Sequence, residues 1–182
     1  MKKHRNKLIL ASFALQLFML LGVIGMVCAV SLNGRTAVVE MTGYDPYDAL
    51  RGRYLHLQNP DSDIPLEPGS VERYEALPWD NNDVYVILET DPDSGLERFS
   101  YATLDRPGRD VAYLKCASGY LRTYDGNPRI YIYPRIEEYY LNEAHAAQLD
   151  QAVTWDTKIR LSLKLWHGLY VVDGIEIDGE RY

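Results

Sequence analysis

Apolar positions follow two different rhythms along this chain. From Leu8 to Leu32 they run on for 25 residues without a formal charge, and Gln16 is the one strongly polar side chain among them. As a helix that run measures about 37 Å at roughly 1.5 Å per residue, longer than a hydrocarbon core of about 30 Å. Asn33 and Gly34 end it. Beyond them the rhythm shortens to alternation. In Arg53–Gln58, Leu55 and Leu57 fall on one face and Tyr54, His56 and Gln58 on the other. Thr36–Thr42, Val84–Glu89, Glu97–Leu104, Val111–Ala117, Tyr120–Tyr124, Arg129–Tyr133, Thr157–Leu165 and Gly168–Ile177 are rich in Val, Ile, Tyr and Thr, with turn residues between them. Such runs predict strands. Asp125-Gly126-Asn127-Pro128 predicts a hairpin turn, because Asp-Gly supplies the positive φ that a tight turn needs. One helix is predicted over Glu143–Ala152, with Asn142 as its cap. Asn59–Asn82 carries Pro60, Pro65, Pro68 and Pro78 and reads as a long, partly extended loop.

The predicted fold is mostly β: a single β-sandwich or barrel-like domain with one short helix, preceded by one N-terminal transmembrane helix. Residues 1–7 form a basic tail with Lys2, Lys3, Arg5 and Lys7 and no acid, residues 8–32 the anchor, and residues 33–182 the β-rich domain. A positive flank belongs on the cytoplasmic side, which puts that domain outside the cytoplasm, on a single-pass protein of the cell inner or plasma membrane. A cleaved signal has an apolar stretch of about 7–15 residues, so the length favours an uncleaved anchor, although Val27-Cys28-Ala29 would tolerate cleavage. Gly25-Met26-Val27 does not resemble a lipobox, which leaves Cys28 as a small apolar residue of the helix.

Charge then narrows the partners. The whole chain of 182 residues carries a net −7. From Asn33 onward all 26 acids remain but only 15 of the 19 bases, a net of −11. That balance argues against a nucleic-acid partner and predicts that the domain as a whole is repelled by anionic headgroups. Cys116 is the one cysteine outside the apolar run, so the domain has no internal disulfide and folds on hydrophobic burial alone.

The most distinctive stretch is Asp45-Pro46-Tyr47-Asp48-Ala49-Leu50-Arg51-Gly52-Arg53-Tyr54-Leu55-His56-Leu57. Asp45-Pro46 can start a turn, Asp48 can accept a backbone N–H, and Arg51 can pair with either acid. Gly52 permits a positive φ or a bulge just before a strand. These residues predict a corner that sets up a strand close to the membrane, and Asp45, Asp48, Arg51, Gly52, Tyr54 and Leu57 are its candidate binding residues. No nucleophile sits among them.

The stretch resembles the GDYXXLXY-motif family of bacterial membrane-anchored proteins. Gly52, Tyr54 and Leu57 match, while Arg53 stands where the family has Asp and Asn59 where it has the last Tyr. Glu138-Tyr139-Tyr140-Leu141-Asn142-Glu143 is similar to the family's aromatic strand leading into a Glu-bearing helix, and Val172–Gly179 to its closing strand. The resemblance implies a subunit or accessory role beside a multi-pass membrane protein and implies no catalytic residue.

Other chemistry reduces to structure. Asp91-Pro92-Asp93-Ser94-Gly95 lacks the third acid and the distal glutamate of a calcium loop and predicts a hairpin turn. His56, His145, His167 and Cys116 have no metal-ligand spacing, so no metal or cofactor is expected. Ser162 and Lys164 share a strand face, and Ser118 lies near Lys115, two candidate serine–lysine dyads without a recognisable nucleophile motif. Among 15 tyrosines, Tyr131, Tyr133, Tyr139 and Tyr140, with Glu143, form a candidate recognition face. The reading is a non-enzymatic binding or assembly module. The alternatives are an enzyme acting on envelope peptides or glycans, and a structural spacer without a specific partner.

Overall fold

The structure, a computed structural model, describes residues 2–44, 47–48, 52–78, 82–134, 136, 138–140 and 157–182. The elements run α1 (Lys2–Asn33), β1 (Arg35–Tyr44), β2 (Tyr47–Asp48), β3 (Gly52–Gln58), β4 (Asp63–Pro65), a 3₁₀ turn (Pro68–Ser70), α2 (Val71–Glu75), β5 (Asn82–Thr90), β6 (Glu97–Thr103), β7 (Tyr113–Tyr124), β8 (Asn127–Tyr133), β9 (Glu138–Tyr140), β10 (Thr157–Trp166), β11 (Leu169–Ile177) and β12 (Glu180–Arg181). The predicted helix Glu143–Ala152 lies outside the described residues.

The continuous apolar run becomes α1. Asn6–Asn33 is long and apolar enough to cross a membrane and fits a single-pass anchor. Its side chains are exposed from Asn6 to Cys28, whereas Val30, in the last turn, is buried where α1 packs against β10 and β11. The helix stops at Asn33, whose side-chain amide donates back to the Ala29 carbonyl at 2.9 Å. The Gly34 N–H donates to the Val30 carbonyl at 2.8 Å. The second bond satisfies one of the carbonyls that the helix end leaves open, and the first adds a side-chain donor to the last turn. Only Gly34 separates α1 from β1.

The twelve strands among the described residues belong to one sheet, with the order β12-β11-β10-β1-β6-β5-β7-β8-β4 and with β3 joining β1, β2 and β9 beside it. β1 is the junction. It pairs with β10 along nine residues, from Arg35↔Leu165 to Gly43↔Thr157, and with β3 at Thr42–Tyr44. It meets β6 in parallel at Val39↔Glu97. The sheet then curls back on itself. Leu66, just past β4, bridges Ala102 of β6, and the Glu67 N–H donates to the Ala102 carbonyl at 2.9 Å. Strands β6, β5, β7, β8 and β4 thus form a ring, which is the barrel-like form of the predicted all-β architecture and leaves few open edges.

Alternation decides what lies inside. Ile159, Leu161, Leu163 and Leu165 of β10 are buried, and so are Ala37, Val39 and Met41 of β1 and Leu55 and Leu57 of β3. Their intervening neighbours point outward, as the period of two requires. Val84, Val86, Leu114, Cys116, Ile130 and Ile132 fill the ring in the same way.

Two sequence expectations need correction. The stretch read as a loop, Asn59–Asn82, holds β4, the 3₁₀ turn and α2. Ile64, Leu66 and Tyr74 are buried there, so tertiary packing orders elements too short for propensity to announce. Its prolines fit: Pro65 ends a strand at the ladder's limit, and Pro68 opens the 3₁₀ turn, where its missing N–H costs nothing. Second, Val111–Ala117 and Tyr120–Tyr124 are one strand, β7, with a register shift between Ser118 and Leu121. Gly119 sits in that bulge, a common place for a strand glycine.

Candidate functional site

The motif residues lie on the β2–β3 pair and around it. Tyr47 pairs with Arg53 and Asp48 with Gly52, so β2 and β3 are the arms of a short antiparallel hairpin. Asp45 and Arg51 lie outside the described residues. β3 is then enclosed on both sides, by β1 through Tyr44↔His56 and by β9 through Tyr54↔Tyr140, Leu55↔Tyr139 and His56↔Glu138. The structure therefore brings the motif strand against the Glu138–Tyr140 segment, two features far apart in the sequence. Leu57, expected above as a binding residue, is corrected to a core residue: it is 1% exposed, so its side chain has no surface to offer a partner.

The corner lies at the far end of β1 from α1. β1 leaves α1 at Arg35 and reaches the motif only after Tyr44, a path of about 30 Å at roughly 3.3 Å per residue. Because α1 is uncovered from Asn6 to Cys28, β1 does not fold back along it. The motif therefore stands at the end of β1 remote from α1.

A family model for the GDYXXLXY protein matches residues 16–175, from inside α1 to β11. The chain belongs to the GDYXXLXY family. Neither the curated proteins nor the solved structures contain a match to it. In this GDYXXLXY protein the motif's leucine position is Leu57, so the family's spacing captures at least one core residue of a strand that joins three neighbours.

The expected tyrosine face divides. Tyr139 and Tyr140 belong to β9 beside the motif strand, and Glu143 lies outside the described residues. Tyr131 and Tyr133 lie on β8 and form a separate aromatic group with Tyr120 of β7. The Tyr120 and Tyr131 rings stack at 5.7 Å and 24°, and Tyr131 meets Tyr133 edge-on at 5.0 Å. The Arg122 guanidinium lies 4.1 Å above the Tyr120 ring and donates to the Tyr124 hydroxyl at 3.0 Å. That hydrogen bond, ahead of the nearby tyrosine rings, raises the Arg122 pKa. A cleft of about 390 Å³ opens next to the stack between Tyr74, Leu77, Pro78, Tyr120 and Leu121. Arg122 was not expected in this face; the bulge at Gly119, for which the glycine is the one local signal, sets the register that brings Tyr120 beside Tyr131.

The serine–lysine pairs are committed elsewhere. The Lys164 ammonium donates to the Thr36 hydroxyl at 2.7 Å, across the β1–β10 ladder. Lys115 pairs with Asp83 at 2.6 Å. Ser118 donates to the Asn82 carbonyl at 2.7 Å and lies 2.8 Å from the Tyr74 hydroxyl, which pins α2 to the ring. No group of three His, Cys, Asp or Glu side chains among the described residues could hold a metal ion.

The Asp91–Gly95 segment is the hairpin turn between β5 and β6. The Asp91 carboxylate accepts the Asp93 N–H at 2.9 Å, and its carbonyl accepts the Gly95 N–H at 2.8 Å. The first bond, more than the nearby Arg98, lowers the Asp91 pKa. A carboxyl with a lowered folded-state pKa adds stability above its unfolded value, near 3.9, and loses it as pH falls through the folded value. Replacing Asp91 by Asn is expected to lower the urea midpoint at pH 7, with the gap to the wild type narrowing as the pH falls below the ordinary carboxyl range. Urea titrations of both proteins at pH 7 and below that range check this; a gap of constant size would mean that the charge is irrelevant.

Proposed function

We propose that the protein is a single-pass membrane protein whose extracytoplasmic β domain is a non-enzymatic binding or assembly module, working as an accessory subunit of a multi-pass membrane protein. The observation that carries this reading is α1: a long apolar helix, uncovered over most of its length, joined to the domain through one residue. In water such a surface is a large exposed apolar patch, and a bilayer removes it from water. The basic tail favours a cytoplasmic N-terminus.

Within the domain, the docking corner is assigned to the motif, with Asp45, Asp48, Arg51, Gly52 and Tyr54 as its candidate contacts. Its distance from α1 calls for an extramembrane part of the partner, such as a long loop, rather than a packed transmembrane helix. The test is a gentle-detergent pull-down of the full-length protein with a C-terminal tag, wild type beside an Arg51→Ala/Tyr54→Ala double variant. A multi-pass membrane protein is expected to accompany the wild type and to be lost from a variant that keeps the wild-type circular dichroism. An intact protein that migrates only as a free monomer would sink the module reading. A partner retained by the variant would move the docking site away from the motif.

A further inference from the structure

The domain carries a net negative charge, yet the end from which α1 emerges is differently built. Arg35↔Leu165 and Trp166↔Leu169 place the β10–β11 turn, His167-Gly168, directly beside the Asn33–Arg35 junction. The neighbouring segment 106–112 completes that end. A groove of about 260 Å³ lies there, lined by Asn33, Arg35, Arg109, Val111, Trp166 and His167. Val111 and Leu169 are 42% and 40% exposed, and the Trp166 ring lies 4.8 Å from that of His167. Arg35 is exposed apart from a 3.5 Å contact with Glu97, and Arg106 donates to the Tyr113 hydroxyl at 3.3 Å. Arg109 is exposed and has no ion pair among the described residues. Among the described residues, the one acid lining the groove is Asp110.

The position of this end follows from α1. Its apolar run is about 7 Å longer than a hydrocarbon core of about 30 Å, so its last turn reaches the headgroup level. Val30, inside that run, is already buried against β10 and β11. The domain therefore cannot stand off from the bilayer. Its end meets the layer where tryptophan is favoured by its amphipathic ring and where arginine can bind phosphate through paired N–H donors.

We propose that this end is seated in the phospholipid headgroup layer, with Trp166 at the boundary with the acyl chains and Arg35 and Arg109 on lipid phosphates. The proposal rests on α1 being a membrane anchor. It also offsets locally the repulsion that the net charge of the domain implies, because Arg35, Arg106 and Arg109 stand at this end against Glu97 and Asp110, and acids beyond the Debye length of about 8 Å are screened.

The full-length protein in vesicles of phosphatidylcholine and phosphatidylglycerol, brominated near the headgroup end of the acyl chains, tests it. Tryptophan emission of the wild type minus that of Trp166→Phe isolates this indole from Trp79 and Trp155. Bromination is expected to quench the Trp166 component at least about twofold, as for an indole at the interface. Arg109→Glu, a change on an exposed loop, is expected to halve that quenching roughly, since one phosphate contact is replaced by repulsion. Flotation of the vesicles after an alkaline wash is read in parallel. A protein that fails to float refutes the anchor. A protein that floats while its Trp166 emission is unquenched, or is quenched equally in Arg109→Glu, leaves the anchor intact and overturns the seating, and frees this end for a protein partner.

Discussion

Leu57→Ala is expected to cost the folded domain about 2–5 kcal/mol, the range for a fully buried leucine whose removal leaves a cavity. Leu57 is 1% exposed and pairs with Gly43 of β1. A Cβ on that glycine would come within 3.5 Å of the Leu57 side chain, so the two strands are already in close contact there. β10 holds β1 along nine residue pairs, which limits how far β1 can move into the vacated volume. The measurement is urea denaturation of the full-length protein in mild detergent, followed by circular dichroism. A lower midpoint with an unchanged slope would report lost stability alone. The same variant separates two readings of the family motif. An unchanged midpoint together with a lost partner would make Leu57 a docking residue and would contradict the burial described above.

Gly168→Ala is expected to cost about 2–4 kcal/mol, because two penalties coincide at one residue. Gly168 has φ +83°, which an L side chain adopts with strain. A Cβ there would also lie 2.7 Å from the Tyr113 ring. That ring is hard to displace, since it packs edge-on against Tyr85 at 5.7 Å and accepts the Arg106 hydrogen bond. The Gly168 carbonyl meanwhile accepts the Lys115 N–H at 3.0 Å, tying the β10–β11 turn to β7. Gly126→Ala is the control. Gly126 has φ +80° but open space around it, so only the conformational penalty of about 1 kcal/mol applies. Thermal or urea midpoints of the two variants give the comparison. Equal losses would show that the Tyr113 contact yields freely and that the turn is not clamped.

Much of this fold is legible in the residues because several long strands bury one face. Thr36–Thr42 and Thr157–Leu165 lie within observed strands with the expected alternation of burial, and the apolar run Val84–Glu89 lies within β5, where Val86, Ile87 and Leu88 are buried in succession beside a register shift. The Asp125-Gly126 turn is equally legible, since both residues have positive φ and Tyr124 pairs with Asn127 across it. His167-Gly168 and Asp178-Gly179 are turns of the same kind. Short elements are a different matter. β4 and α2 exist because Ile64, Leu66 and Tyr74 fill a hollow made by strands distant in sequence, and no local window contains that information. Topology is hidden for the same reason, for β1 pairs with a strand more than a hundred residues away.

The candidate site shows the same division. That Leu55 and Leu57 face the core is a matter of alternation and was readable. That β3 lies against Tyr139 and Tyr140 depends on a long-range pairing and was not. The tyrosines read as one face separate because β8 and β9 choose different neighbours: β7 and β4 for the first, β3 for the second.

The single residue between α1 and β1 has a mechanical consequence. With Val30 clamped under the domain and no linker to bend, the helix and the domain turn as one lever. The motif corner is the long arm, about 30 Å from the pivot along β1. Transmembrane helices adopt tilts of about 0–40° as bilayer thickness and neighbours change. With α1 in a bilayer, as proposed above, a change of about 10° in its tilt would sweep the corner sideways by about 5 Å, so that a change in lipid thickness at the helix would become displacement at the far end of the domain.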